Sequence, residues 1–398
     1  MLERGKISAR QLFFLALGFL HGNVAVFSRS TQTKEDIWAA ALLAGVGGVL
    51  LVYLYTALAG YFPEETPSRY ARRLLGRPLG TAVGLLYFWH ALYVGALVLR
   101  SLGELMTINF YLQTPILVFA LSTTLLTTFA VRPGIEVPAR MAEIIVPFAP
   151  LLLLPLFVLL AVASRIVHLE NLTPVLVGGL GPVLKGAWSF LAFPYGELVF
   201  FLFIFPALHV PAKARRAAVL AVILCSFYLI LFQSLDVAVL GPEASGAEFF
   251  PSFIVATMIQ IGEFLTRIEA LVMVLWTAAI FVKLTVCQYV ATLALAEALD
   301  LQDFHSLAAA VGALMIALSM LIFSDAPSLV AFFDRYFPFY SLPFYLLLPL
   351  LLWAVAKLRG RPGNPAPGQT EQTTHPGGEA TRPAPPEQLQ EGGVSRAL

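Results

Sequence analysis

The chain contains 398 residues, of which 59% are hydrophobic and only 12% are charged, and its formal net charge is +1. Soluble domains usually carry about 25% charged residues, so the polar surface is too sparse for a water-soluble globule of this size. The composition therefore predicts an all-α polytopic membrane protein, and the near-zero charge excludes a basic surface for nucleic acid.

Ten stretches of the sequence are apolar enough to cross a hydrocarbon core of about 30 Å as transmembrane helices. In chain order they cover approximately residues 8–28, 37–61, 80–108, 114–131, 138–164, 182–206, 215–240, 263–296, 305–324 and 337–358. We refer to them as spans 1 to 10. The apolar stretches thus account for most of the chain.

The connections between the spans predict the orientation of the protein. Most of their Lys and Arg residues fall on the side of the N-terminus, which predicts that both termini are cytoplasmic. The ten spans divide into two repeats of five, at about 8–164 and 182–358. Because each repeat has an odd number of spans, the second is inverted relative to the first.

Span 1 is interrupted by glycine and polar residues. Gly18, His21, Gly22 and Asn23 fall within what would otherwise be a continuous apolar helix. Gly18 and Gly22 also have the G-x-x-x-G spacing that allows two membrane helices to pack closely. Taken alone, this pattern favours helix packing.

Span 3 and the start of span 8 carry charges on the predicted outer side. Arg100 and Glu104 are four residues apart and therefore share one helical face. Arg100 lies near the end of its span, so we expect its side chain to reach the membrane interface. Arg267 and Glu269 open span 8 on the same side, and an outer gate of these four charges is the alternative interpretation.

Span 6 contains the sequence FPYGE at residues 193–197. Pro194 removes a backbone donor and Gly196 adds flexibility, so the helix is predicted to open between Phe193 and Gly196. Glu197 follows near the middle of the bilayer, where an ionisable group is costly unless it is used or paired. The alternative is a simple proline kink, with Glu197 paired to a neighbouring helix.

Span 8 contains a second deep charge, Lys283. A buried ammonium needs a partner to remain charged. It either pairs with a carboxylate or occupies the place that a bound sodium ion would take. Lys283 and Glu197 are therefore candidates for ion or proton coupling, or for a structural charge pair.

Two interrupted helices in corresponding positions of two repeats indicate a transporter-type binding site. Opened backbone offers free N–H and C=O groups to a zwitterionic ligand. The predicted ligand-binding residues are Gly18, His21, Gly22, Asn23, Phe193, Pro194, Tyr195, Gly196 and Glu197.

Enzyme motifs do not occur in the sequence, which therefore predicts no catalytic residues and no cofactor. Cys225 and Cys287 lie in apolar runs, so neither a disulfide framework nor a metal site is expected.

At the cytoplasmic start of span 5, Arg140 and Glu143 are expected to form a pair. The stretch 241–262 is too polar at its start to be a further span, and its part EFFPSFIVATMIQIG, residues 248–262, is predicted to be an amphipathic helix at the outer interface.

The chain is expected to have two parts. Residues 1–358 form the membrane domain, and residues 359–398 are rich in Pro and Gly with few large apolar side chains. Such a segment cannot bury enough surface to fold, so a disordered cytoplasmic tail is predicted.

Several short segments, taken in order, resemble one family. They are KISARQLFFLALGF in span 1, EDIWAAALLAG in span 2, LVLRSLGEL in span 3, VRPGIEVPARMAEIIVP leading into span 5, LTPVLVGG before span 6, FPYGELVFF within it, VAVLGPE after span 7 and FLTRIEAL opening span 8. Over roughly residues 4–358 the chain resembles the GerAB-type spore germination permease family, within the amino acid–polyamine–organocation superfamily.

The resemblance implies a LeuT-like fold in which spans 1 and 6 are discontinuous. It also implies a ligand-sensing B subunit that works with A and C subunits of a germinant receptor in the inner membrane of the bacterial spore. By position, the unwound part of span 1 maps onto Gly18–Asn23 and that of span 6 onto Phe193–Glu197.

Two functions remain open from the sequence. The first is a receptor subunit that binds a small nutrient, expected to be an amino acid, between spans 1 and 6. The second is a proton-coupled amino-acid transporter in which Glu197 or Lys283 changes protonation during the cycle.

Overall fold

The structure, a computed structural model, describes residues 3, 5–22, 33–148, 151–152, 154–260 and 268–359. These residues are almost entirely helical and belong to one unit, Met1–Gly360. Apart from Arg359, the predicted tail lies outside the described residues.

The helices of the first repeat account for spans 1 to 5. They are α1 Ala9–His21, α2 Ile37–Ala59, α3 Pro67–Leu75, α4 Arg77–Asn109, α5 Ile116–Val131, α6 Glu136–Phe148 and α7 Leu154–Ala163. Short α3 connects spans 2 and 3, whereas α6 and α7 both belong to span 5. With a rise of about 1.5 Å per residue, α4 is roughly 50 Å long, more than a bilayer core requires.

The helices of the second repeat account for spans 6 to 10. They are α8 Leu180–Phe190, α9 Ala214–Leu240, α10 Pro242–Ala247, α11 Pro251–Met258, α12 Ile268–Ala298, α13 Ala308–Leu321, α14 Ala326–Arg335, α15 Phe337–Leu342 and α16 Leu348–Arg359. Span 10 combines α15 and α16, and α14 is a short helix between spans 9 and 10.

Each of the ten predicted spans contains helix within the described residues. There, six helical stretches are long and apolar enough to cross a membrane individually, and two bent pairs meet this standard only together. The pair α5 and α6 is bent by 119°. Gly134 lies in that bend with φ 100°, a conformation that favours glycine, so the chain reverses direction between spans 4 and 5.

Helix α1 lies in the interior of the bundle. It begins with a capping box, in which the Ser8 hydroxyl accepts from the Gln11 N–H and the Gln11 side chain accepts from the Ser8 N–H. A Cβ on Gly18 would lie 2.7 Å from Val146 of α6 and 3.0 Å from Val282 of α12. The glycine therefore allows α1 to pack closely against both helices.

The segment before α1 covers the N-terminal side of the bundle. Glu3 accepts hydrogen bonds from the Ile135 N–H at 2.9 Å and from the Tyr289 hydroxyl at 3.2 Å. The Ile7 N–H donates to the Ala207 carbonyl at 2.9 Å, and the Ile7 side chain is fully buried. These bonds connect the segment to α12, to the turn before α6 and to the end of span 6.

A charged cluster on the same side links α3 to the end of α12. Glu297 accepts from Arg69 at 2.9 Å, and Asp300 accepts from both Arg72 and Arg77. Hydrogen bonds from these two arginines hold the pKa of Asp300 below its ordinary value. These ion pairs hold α3 and the end of α12 together at the predicted cytoplasmic face, and we call them the clasp.

The structure corrects the expected surroundings of the stretch after span 7. The stretch after span 7 contains helix α11 within the residues predicted to be helical, preceded by the short α10, but the start of α11 is buried in the bundle. The Ser252 hydroxyl of α11 donates a hydrogen bond of 2.6 Å to the buried carboxylate of Asp236 on α9. This bond holds the start of α11 against the bundle.

The expected pair of Arg140 and Glu143 does not form. Arg140 pairs with Glu136 one turn earlier on α6, and Glu143 pairs with Arg10 of α1. The position of α1 beside α6 decides this exchange of partners.

The close packing of α1 generates a stability prediction. We expect Gly18→Leu to lower the free energy of unfolding by about 2 kcal/mol, because overpacking a closed interface forces neighbouring helices apart. The thermal melting temperature of the purified protein in detergent measures this effect. Gly181→Leu is the matched control, since a Cβ at Gly181 meets no atom within 4 Å. Equal melting temperatures for the two variants would contradict the interpretation.

Candidate ligand-binding site

The centre of the bundle contains the break in span 6. Helix α8 ends at Phe190, residues 191–195 form a wide turn, and residues 196–203 form a tighter 3-10 helix. Phe193 is extended at the break, with φ −142° and ψ 113°. Pro194 follows and has no N–H to continue the helical ladder, so the prediction of a discontinuous span 6 is confirmed.

The end of span 1 approaches this break. Helix α1 ends at His21, Gly22 lies in the following turn, and Asn23 is outside the described residues. A Cβ on Gly22 would lie 2.6 Å from the Cβ of Lys283, so the stem of this lysine runs directly against Gly22.

Neighbouring helices hold the opened backbone of span 6 in place. The Tyr55 hydroxyl of α2 lies 3.2 Å from the Gly196 carbonyl oxygen and 2.7 Å from that of Tyr345, and donates to them. The Tyr195 hydroxyl forms a hydrogen bond of 2.7 Å with that of Ser226 on α9. The break is therefore a fixed feature with polar support from spans 2, 7 and 10.

The two deep charges meet at the break. Lys283 of α12 donates a hydrogen bond to Glu197, and both side chains are 0% exposed. Removing either charge from a buried pair leaves the other uncompensated, which is strongly unfavourable. The pair therefore joins span 8 to the 3-10 part of span 6.

Two aromatic rings complete the surroundings of the lysine ammonium. Lys283 Nζ lies 4.8 Å from the ring centroid of Phe19 and 4.3 Å from that of Phe193. Both distances are within the range of cation–π attraction. Two spans, 1 and 6, thus supply a carboxylate and two ring faces to one ammonium group from span 8, and we call the side chains of Glu197, Phe19 and Phe193 the ammonium box.

Further rings cover the box on the predicted outer side. The Phe193 ring centroid lies 5.0 Å from that of Phe333 on α14 and 5.8 Å from that of Phe337 on α15. Beside these rings lies a groove of about 640 Å³. It is lined by Pro182, Lys185, Trp188, Ser189, Ala331, Asp334, Arg335, Pro338 and Phe339. This groove borders the aromatic cover and bears charged groups.

Two other predicted binding residues, His21 and Gly196, contact other parts of the bundle. His21 is buried, donates through Nδ1 to its own Leu17 carbonyl at 2.8 Å, and packs its ring 5.3 Å from that of Tyr228. A Cβ on Gly196 would lie 2.8 Å from the Tyr345 ring. Of the predicted set, the structure thus brings Gly22, Phe193 and Glu197 to Lys283.

The charges at the end of span 3 are buried, contrary to the expectation that Arg100 reaches the interface. Arg100 and Glu104 are 6% and 7% exposed and form an ion pair of 2.7 Å. The pairing explains the burial, since each charge compensates the other. Glu269 is partly exposed, and Arg267 lies outside the described residues, so the four-charge gate stays a prediction.

Sequence reasoning missed Phe19, Phe333, Phe337 and Tyr55. Phe19 lies between the two glycines of span 1, and the two outer rings belong to the aromatic run 332–340. The aromatic density was visible in the sequence. Which ring faces the lysine depends on the path of the chain through the break.

The comparisons with known proteins are consistent with this architecture. A family model described as "Spore germination protein" matches residues 6–326. "Spore germination protein KB" of Bacillus subtilis (strain 168) is 29% identical over 358 residues, covering 89% of this chain and 95% of the relative. "Spore germination protein YndE" of the same organism is 25% identical and covers 73% of this chain and 81% of the relative.

Solved structures show the fold. MhsT in complex with L-phenylalanine matches with a TM-score of 0.64 and 16% identity, covering 89% of each chain. Mhp1, a nucleobase-cation-symport-1 family transporter, matches with a TM-score of 0.58 and 15% identity, covering 90% of this chain and 80% of that one. The chain has the LeuT-like fold of these membrane transporters, with two inverted repeats of five helices.

The buried pair generates a second stability prediction. We expect Glu197→Gln and Lys283→Met each to destabilise the protein by about 3–5 kcal/mol, because each breaks a buried ion pair by removing one of its two charges. The double variant removes both charges and should recover most of this loss. Thermal melting in detergent measures all three.

The exposed pair of Arg140 and Glu136, with side chains 68% and 41% exposed, supplies the control. Arg140→Gln should cost at most about 1 kcal/mol. A double variant no more stable than either single variant would show that the two charges are not coupled.

Proposed function

Because the chain belongs to the spore germination permease family, we propose that it is the ligand-sensing membrane subunit of a spore germinant receptor. It binds an amino acid or similar small nutrient between span 1 and the break in span 6, and signals to A and C partner subunits. Residues 1–358 form the ligand-binding membrane domain, in the spore inner membrane with both termini cytoplasmic.

The observation that carries the proposal is the broken span 6 with two opposite charges buried at the break. A zwitterion needs partners of both signs, and such groups are rare at this depth in a membrane protein. The likeness to MhsT, whose structure is that of a complex with L-phenylalanine, supports an amino acid as the ligand. Gly22 lets the stem of Lys283 pack directly against the end of α1, beside the break.

The two closed faces of the bundle suggest how binding becomes a signal. Phe333 and Phe337 cover the predicted outer side, whereas Glu3 and the clasp at Glu297 hold the predicted cytoplasmic side. Helix α12 connects the centre of the bundle to the cytoplasmic side, since Lys283 lies at the break and Glu297 lies at the clasp. A ligand that prefers one position of α12 shifts the equilibrium between two conformations.

A reconstitution experiment tests the receptor proposal. Purified protein in liposomes is given labelled amino acids and an imposed pH gradient, and both saturable binding and time-dependent accumulation are recorded. We expect binding without accumulation, because a sensor needs the site but not the full transport cycle. Phe193→Ala should weaken binding by at least about tenfold, a change of 1.4 kcal/mol.

Phe119→Ala, on α5 and outside the break, is the matched control and should bind like the parent protein. Binding that is equal in both variants would place the ligand elsewhere. Gly196→Leu is less suitable, since its side chain would collide with the Tyr345 ring whatever the ligand does.

A proton-coupled amino-acid transporter is the second candidate, favoured by the transporter fold and the two deep ionisable groups. It predicts accumulation that collapses with the pH gradient. In that case Glu197→Gln should abolish gradient-driven uptake, because the amide cannot exchange a proton. Full uptake by this variant would remove Glu197 from any coupling role.

A further inference from the structure

The surroundings of Lys283 have the chemistry of a site for a free ammonium ligand. Its Nζ contacts the Glu197 carboxylate and the ring faces of Phe19 and Phe193. A carboxylate with aromatic faces is a combination by which proteins recognise amine and quaternary ammonium ligands. Here the protein's own side chain fills the site.

The lysine reaches this box from outside it. Glu197 and Phe193 belong to the broken span 6 and Phe19 to span 1, whereas Lys283 comes from span 8 on a flexible four-carbon stem that passes Gly22. Rotation about the bonds of the stem moves the ammonium without moving a helix. The side chains of the ammonium box are held in place by α1 and by the backbone of the break, to which the Tyr55 hydroxyl donates a hydrogen bond.

Charge balance decides which ligand can enter. An amine that took the box would leave the Lys283 ammonium buried without a counter-charge, which costs several kcal/mol. A carboxylic acid would compete with Glu197 for Lys283 and leave that carboxylate uncompensated. A zwitterion avoids both losses, since its ammonium replaces that of Lys283 and its carboxylate accompanies the displaced lysine.

We infer that Lys283 is a built-in occupant of the ammonium box, which an α-amino acid takes over by ion-pair exchange. In the bound state the ligand ammonium contacts Glu197, Phe19 and Phe193, and the ligand carboxylate pairs with Lys283. This inference rests on the proposed function and deepens it, because it makes Lys283 a specificity residue and selects zwitterions over amines and acids.

The first arm of the test uses the full-length parent protein in lipid nanodiscs. The probes are L-alanine, L-valine and L-phenylalanine, each with its decarboxylated amine and its deaminated acid, and binding is measured by isothermal calorimetry. We expect at least one amino acid to bind at least about a hundredfold more tightly than either of its analogues, two steps of 1.4 kcal/mol each. Equal binding of an amino acid and its amine would overturn the inference.

The second arm uses Lys283→Met, which empties the box and leaves Glu197 available. We expect this variant to gain affinity for the amines by at least about tenfold over the parent protein and to lose its preference for zwitterions. A lysine with only a structural role would give no such gain. Lys283→Gln serves as the second variant if the methionine protein is not monodisperse.

Arg100→Met is the matched control, because it removes the cation of another buried ion pair and leaves Glu104 behind. It should gain no amine affinity, whereas an equal gain would overturn the inference. The double variant Glu197→Gln/Lys283→Met should bind neither amine nor zwitterion at this site, because the box has lost its carboxylate.

The outcomes separate the two proposals. If the parent protein binds amino acids but Lys283→Met gains no amine, the inference fails and the proposed function stands. If Lys283→Met gains amine while the parent protein binds no amino acid, the box recognises ammonium groups, but exchange with an amino acid is overturned together with the proposed ligand class. Absence of all binding overturns both.

Discussion

A carboxylate and an ammonium in contact, excluded from water and at the depth of the hydrocarbon core, constrain the whole bundle. Glu197 and Lys283 each need the other, because an isolated charge there costs several kcal/mol. Span 8 must therefore lie against the break in span 6, and the glycines of span 1 must allow α1 to approach both. The pair orders three spans around one point.

The same constraint connects the centre of the protein to its two faces. Helix α12 carries Lys283 in the middle and Glu297 at one end, where it accepts from Arg69. On the opposite side, Phe193 at the break packs beneath Phe333 of α14. A rearrangement at the ion pair would therefore be transmitted towards both faces through helix α12 and the rings at the break, and under the proposed function this is the route by which a bound ligand would affect partner subunits.

Much of the fold was predictable because its signals are local. Ten apolar stretches and the Pro194–Gly196 interruption are visible in short windows, and the structure contains helix in every stretch and a break at that proline. Partners were not predictable, because they depend on which helices become neighbours. The spacing of Arg140 and Glu143 within one helix predicted an ion pair, but Glu143 pairs with Arg10 of α1 instead. In the sequence, Phe19 is one of many apolar residues of span 1, and only the folded structure shows that its ring contacts Lys283.

The most direct test is a pair of cryo-electron microscopy structures of the full chain in lipid nanodiscs. One is determined without ligand and the other with the amino acid that binds most tightly. We expect Glu197 and Lys283 in contact in the first, and in the second the ligand ammonium between Phe19 and Phe193 with the two charges separated. A ligand bound elsewhere with the ion pair intact would contradict exchange at the break as the sensing event.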